Sequence, residues 1–143
     1  VKILVDSCVW SLALRRKSKT LLSKDEQRIV AILSDSVQNG RIAIIGPIRQ
    51  EVLSGIKDSA RFEKLRGALG AFPDEPIATG QYEEAARLHN LCRRRGVECG
   101  SVDMLLCVVA AQRRWSVLTT DAGLKRCVES LRAEGIFHQQ SAE

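Results

Sequence analysis

Hydrophobic positions in this chain fall into short dense runs separated by longer amphipathic stretches. The opening, Val1 to Val5, is β-branched and reads as a strand buried on both faces. Ile42 to Ile45 forms a second such run, stopped by Gly46, and Ser116 to Thr120 forms a third. Between the runs the apolar spacing lengthens to three and four. Ser7 caps a helix to about Leu14, with Trp10 and Leu14 four apart. A helix from about Ser23 to Gln38 opens with the capping pair Ser23 and Glu26. It lines Ile29, Val30, Leu33 and Val37 on one face, and Asn39-Gly40 ends it. Pro47 suits the first turn of a helix carrying Ile48, Val52 and Ile56.

Further on, Asp58 or Ser59 starts a helix with Phe62, Leu65 and Leu69 inward. The segment GAFPDEPIATG is the least regular, with Ile77 as a short strand. Thr79 begins a long helix with Tyr82, Ala85, Leu88 and Cys92 on one face. Arg93 to Arg95 complement its C-terminus and Gly96 stops it. Ser101 caps VDMLLCVVAA, which is apolar almost all round and therefore deeply buried. After the third strand, AGLKRCV reads as a short helix and Ile136 to His138 as a last strand. Strands alternating with helices predict an α/β fold: one domain over residues 1–138, a central parallel sheet flanked by helices on both faces, then a tail, 139–143.

Composition narrows the class. At 143 residues and 45% apolar the chain suits one domain with a real core, not a disordered segment. No apolar run approaches the roughly 20 residues that span a bilayer. The opening run is short and broken by Asp6, unlike a signal peptide. Lysine and arginine number 22 against 17 acids, a net +5 that fits a polyanionic partner without requiring one. Five cysteines at spacings unlike a zinc site, with Cys8 and Cys107 set among apolar neighbours, point to a reducing compartment, hence the cytoplasm. With two histidines, a histidine-rich metal site is excluded.

The candidate chemistry lies in the acids. Asp6 and Asp121 each end a strand, and in open parallel sheets ligands bind at the carboxyl ends of strands. If the two strands are neighbours, both carboxylates face one crevice. Glu51 lies one turn into the helix that starts where the second strand ends. Asp103 lies in the first turn of the buried helix, and the sequence leaves open which end of the sheet that turn approaches. Taken singly, Asp6 and Asp121 read as helix caps, Asp103 as a partner of the helix dipole, and Glu51 as a surface residue.

As a set, the motifs VDSCVW, QEVLSGI, SVDMLLCVVAA and VLTTD resemble, in order and spacing, those of PIN-domain nucleases. The similarity is greatest to the VapC-type toxins of bacterial toxin–antitoxin pairs and covers Ile3 to about Val128. It implies a PIN-like fold and a cluster of Asp6, Glu51, Asp103 and Asp121 that binds Mg²⁺ or Mn²⁺ and hydrolyses RNA to a 3′-hydroxyl and a 5′-phosphate. Ser7 and Thr119 would supply supporting hydroxyls. The resemblance also implies a VapB-type antitoxin that docks near the first helix, and a homodimer. The pattern departs from the family where Leu124 stands for a frequent aromatic and Ser7 for a frequent threonine.

An acidic pocket repels a polyanion, so basic residues must offset it. The candidates are Arg15, Arg16 and Lys17, then Arg49, then Arg93, Arg94 and Arg95, and also Arg113 with Arg114. Competing magnesium-dependent readings fare worse. A haloacid-dehalogenase phosphatase wants an aspartate where Cys8 stands. A receiver domain wants a phosphoacceptor aspartate where IAIIGP has none, and no Gly-rich phosphate loop follows the first strand. The serious alternative is a non-catalytic PIN-like module that binds RNA or protein.

Overall fold

Three short, mainly apolar runs can be buried only if both their faces are covered. The computed structural model describes residues 1–14 and 22–137 and shows this arrangement. Strands β1 (Ile3–Val5), β2 (Ile42–Ala43) and β3 (Ser116–Leu118) form a parallel sheet in the order β2-β1-β3. The register pairs Ile3 with Ile42 on one side and Val5 with Leu118 on the other. The strands are shorter than their apolar runs. Ile44 leaves β2 to form a lone bridge with Asp74, and Thr119 and Thr120 turn away to meet side chains of β1's continuation.

Seven helices complete the described chain: α1 (Ser7–Leu14), α2 (Lys24–Gln38), α3 (Gly46–Ser54), α4 (Ser59–Leu69), α5 (Thr79–Arg94), α6 (Ser101–Arg113) and α7 (Ala122–Ala133). Helix α1 packs on α2 and α3, and α6 lies against β1, β3, α5 and α7. Seven consecutive residues of α6, Met104 to Ala110, are buried, as an all-round apolar helix requires. The Ser23–Glu26 capping box forms in both directions, at 3.1 Å each. Gly96 adopts φ +78°, and the Val97 N–H reaches back to the Cys92 carbonyl at 2.9 Å, closing α5 in a conformation that glycine adopts without strain.

Several local expectations are corrected. Ser101 is the first residue of α6, not its cap; Gly100 holds that place. Helix α7 runs to Ala133, well beyond AGLKRCV, because Val128 and Leu131 continue its buried face. No strand forms at Ile77; the chain there is fixed by the Asp74 bridge and by Gln81 Oε1 accepting the Ala78 N–H at 2.9 Å. Ile136 and Phe137 form no strand, because Phe137 turns into the core; His138 lies outside the described residues. Tyr82 stands 53% exposed rather than inward. Cys99 and Cys127 form a disulfide, because the loop before α6 lies against α7, a bond that the expected reducing compartment does not favour; Cys8, Cys92 and Cys107 are free. No described helix is long and apolar enough to cross a membrane.

The buried face of α6 should dominate stability. Leu106, with no exposure, should cost about 2–5 kcal/mol when replaced by alanine. Val37→Ala, at a 40% exposed position on α2, should cost under about 1 kcal/mol. Urea unfolding of the two variants tests this packing, and equal losses would contradict it.

Candidate functional site

The parallel register decides where the acids meet. With Val5 opposite Leu118, Asp6 and Thr119 leave adjacent strands side by side, and the Asp6 N–H donates to the Leu118 carbonyl at 3.0 Å. Asp6 is 4% exposed, and a carboxylate so buried needs donors. Thr119 Oγ1 donates to its Oδ2 at 2.8 Å and Cys8 Sγ donates to the same oxygen at 3.2 Å. The Ser7 N–H donates to Oδ1 at 2.8 Å, so Ser7 meets Asp6 through its backbone. Thr119 Oγ1 also accepts the Asp121 N–H at 3.0 Å. One buried hydroxyl therefore ties the first acid to the fourth.

Asp121 is the N-cap of α7, its Oδ2 accepting the Leu124 N–H at 2.8 Å. The ordinary reading of that residue is thus correct for one oxygen, yet the residue stays exposed beside Asp6. Helix α6 descends into β3 and so begins at the carboxyl edge of the sheet, which brings Asp103 to the same place. Glu51 reaches that place from the exposed side of α3. Their proximity shows in Asp103, whose pKa is pushed up to about 6, first by burial and then by the charges of Asp6, Asp121 and Glu51. The structure therefore brings all four acids within electrostatic reach of one another.

Two neighbouring thiols are kept protonated. Burial chiefly, and then the charge of Asp6, raises the pKa of Cys8, so it serves as a hydrogen-bond donor and not as a nucleophile. Burial raises Cys107 further, with Asp103 adding to the effect.

The chemistry of the donors suits a hard divalent cation: every acid offers oxygen, and among the described residues no lysine or arginine closes an ion pair with any of the four. The acids are grouped more loosely than a coordination shell, however. Among the described residues, no three His, Cys, Asp or Glu side chains are placed to hold one ion as they stand. Charges act over longer distances than metal–oxygen bonds of about 2.0–2.6 Å, so the two observations agree. Asp6 and Asp121 are fixed by hydrogen bonds; Glu51, long and exposed, has the most freedom to close in.

The basic candidates divide. Arg49 is engaged within the fold: its Nε donates to Asp74 Oδ1 at 2.9 Å, its Nη1 to the Leu69 carbonyl at 2.9 Å, and its Nη2 to the Phe72 carbonyl. It pins the segment after α4 to α3. Arg113 pairs with Glu75 at 3.1 Å and lies over the Trp115 ring. Arg113 and Arg114 both close α6, at the sheet edge opposite the acids. Arg93, Arg94 and Arg95 are exposed at the end of α5. Gln81, in the first turn of α5, bonds Gln112 near the end of α6 at 3.2 Å, so the helices run antiparallel and carry these arginines to the acid side. Arg95 also pairs with Glu134 at 2.9 Å. Arg15, Arg16 and Lys17 lie outside the described residues.

Sequence reasoning passed over Arg126. A Cβ built on Gly123 would lie 3.8 Å from Arg126 Nη2 and 3.1 Å from Asp121 Oδ2, so guanidinium and carboxylate border the same space. The available signal was the cap: once Asp121 starts α7, residue 126 lies little more than one turn on.

The family model described as the PIN domain matches residues 3–129. Among solved structures, the crystal structure of FitAcB from Neisseria gonorrhoeae is similar, with a TM-score of 0.69 at 20% identity, over 87% of this chain and 91% of that one. No curated protein matches the chain.

The state of Asp103 has a direct consequence for stability. Its folded pKa is about 6, above the ordinary value of 3.8 for a solvated aspartate. Between these values the folded chain keeps a proton that the unfolded chain has lost. Its contribution to stability therefore falls as pH rises through that window and stays low above it. Without divalent cations, Asp103→Asn should raise the melting temperature at pH 7.5 and leave it nearly unchanged at pH 4. Melting curves in chelator test this, and a variant less stable at pH 7.5 would contradict the crowding of charge.

Proposed function

The chain belongs to the PIN-domain family, and from that premise we propose that it is a divalent-cation-dependent endoribonuclease, the toxin of a VapBC-type pair acting in the cytoplasm. The observation that carries this reading is the coupling of Asp103 to Asp6, Glu51 and Asp121 at the carboxyl edge of the sheet. PIN domains are generally nucleases, and four carboxylates with no ion pair to a lysine or arginine among the described residues need a positive charge to coexist.

In this reading Asp6, Asp103 and Asp121 hold Mg²⁺ or Mn²⁺, and Glu51 completes the set or orients the attacking water. The ion, when bound, supplies positive charge to the phosphate oxygens and makes water easier to deprotonate. The chain's own contribution is placement. Thr119 and Cys8 fix one oxygen of Asp6, and Ser7 fixes the other. Thr119 and Leu124 fix Asp121 through its N–H and its carboxylate. Asp103, its pKa raised to about 6, would be held in its charged form by a bound cation. The scissile phosphate would lie between the hydrogen-bonded oxygens on the β1–β3 side and the exposed Glu51 on the α3 side.

The antitoxin is assigned to the groove of about 480 Å³ between α1, α2 and α4, lined by Trp10, Leu14, Leu33, Val37, Leu69 and Phe72. Trp10 packs against Phe72 with ring centroids 5.4 Å apart, and its Nε1–H is buried without an acceptor. A second copy is assigned to the face of α3, α5 and α6 around Tyr82, where a cavity of about 450 Å³ has a mainly apolar lining. In the cytoplasm, thiol reductants would act on the Cys99–Cys127 bond.

Mn²⁺ or Mg²⁺ at millimolar concentration should raise the melting temperature of the protein, and Asp6→Asn or Asp103→Asn should abolish the shift. Cleavage of RNA should depend on the cation and vanish in both variants while their circular dichroism stays native. Indifference to the cation together with retained RNA binding would instead favour the non-catalytic module.

A further inference from the structure

A carboxylate site that hydrolyses a polyanion needs a cation to grip the phosphate next to the one attacked. Several basic residues are ruled out by position. Arg49 is held by Asp74 and two carbonyls. Lys2 and Arg113 share Glu75 and the Trp115 ring at the far edge of the sheet. What stands beside the acids is the start of α7.

Arg126 Nη2 and Asp121 Oδ2 face the same point from distances of 3.8 and 3.1 Å, the point that a Cβ on Gly123 would fill. No ion pair joins them among the described residues. Glycine is costly within a helix, yet here it stands in the first turn, where any side chain would crowd the carboxylate and occupy the space shared with the guanidinium. Arg126 also lines an open cleft of about 670 Å³ with Lys125 and Arg95, which continues past Val97 between the end of α5 and the outer face of α7. Arg95 borders it while paired with Glu134, and among the described residues Glu129 is its one acidic lining residue. Three cations, Arg95, Lys125 and Arg126, thus border the cleft, and Arg126 is the lining residue whose guanidinium also borders the space beside Asp121.

We propose that Arg126 holds the phosphate adjacent to the scissile one, and that the RNA strand leaves the acid site along the cleft bordered by Lys125 and Arg95. This rests on the nuclease reading of the four acids and adds the direction in which the substrate lies. Arg126 acts on substrate alone. Its charge opposes the cation at Asp121 and attracts the phosphate, so its removal affects the two ligands in opposite directions.

The test compares Arg126→Ala and Arg126→Lys with the parent protein. Affinity for Mn²⁺ is read by calorimetry. Affinity for a short single-stranded RNA is read by fluorescence anisotropy at several salt concentrations, in the Asp103→Asn background so that nothing is cleaved. Arg126→Ala should weaken RNA binding about tenfold and lower the slope of log K against log salt by about 0.7, the loss of one phosphate contact. It should also tighten Mn²⁺ binding by a few-fold, with an unchanged melting temperature. Arg126→Lys should keep most of the RNA affinity. Unchanged RNA affinity and slope, in a protein that still binds Mn²⁺ and cleaves RNA, would overturn the track and leave the nuclease reading standing. Loss of Mn²⁺ and RNA binding together with a lower melting temperature would mean a structural role and also overturn it. If the parent protein neither binds Mn²⁺ nor cleaves RNA, the acid-site reading fails and takes this proposal with it.

Discussion

Asp6 leaves the central strand at 4% exposure, and a carboxylate in that position dictates much of what surrounds it. Its oxygens need donors, and these come from Thr119 on the neighbouring strand, from the Cys8 thiol, and from the turn into α1. Its charge must also be tolerated by the acids beside it. Burial and repulsion together leave Asp103 holding a proton well above the usual carboxylate range. A fold that gathers negative charge in this way, with no ion pair to any of the four acids among the described residues, is suited to accept positive charge from outside.

The same constraint explains why the helices are arranged as they are. Helix α6 passes through the core with seven consecutive buried residues, and that burial fixes its axis. Its first turn is thereby set at the carboxyl edge of the sheet, so Asp103 is placed by packing forces acting on Met104 to Ala110. Asp121 is placed by the cap of α7, and α7 is anchored by Leu124, Val128 and Leu131. Three acids are thus positioned by rigid elements, while Glu51 lies on an exposed helix face and retains its freedom. A site with three fixed donors and one adjustable one suits an ion that must be bound and then engage a substrate.

Charge of the opposite sign follows a similar division. Arginines at the far edge close helices and pair with Glu75, and Arg49 fastens the segment after α4. Those at the acid edge border open surface. Net charge alone did not separate these groups, because an arginine in a structural fork and one beside a cleft look alike in a sequence.

What the sequence determined by itself was local. Hydrophobic period separated strands from helices, the Ser23–Glu26 pair marked the start of α2, Gly96 marked the end of α5, and the order of acidic motifs pointed to the family. These depend on interactions within a few residues or on similarity to known chains. What only the tertiary structure decided was relative placement. The parallel order β2-β1-β3 sets Asp6 beside Thr119 across more than a hundred residues of chain, and the antiparallel packing of α5 on α6 carries Arg93 to Arg95 to the acid edge. The Cys99–Cys127 bond, the inward turn of Phe137 and the approach of Arg126 to Asp121 belong to the same class. Each depends on which surfaces are buried against each other, a choice made by the whole core at once.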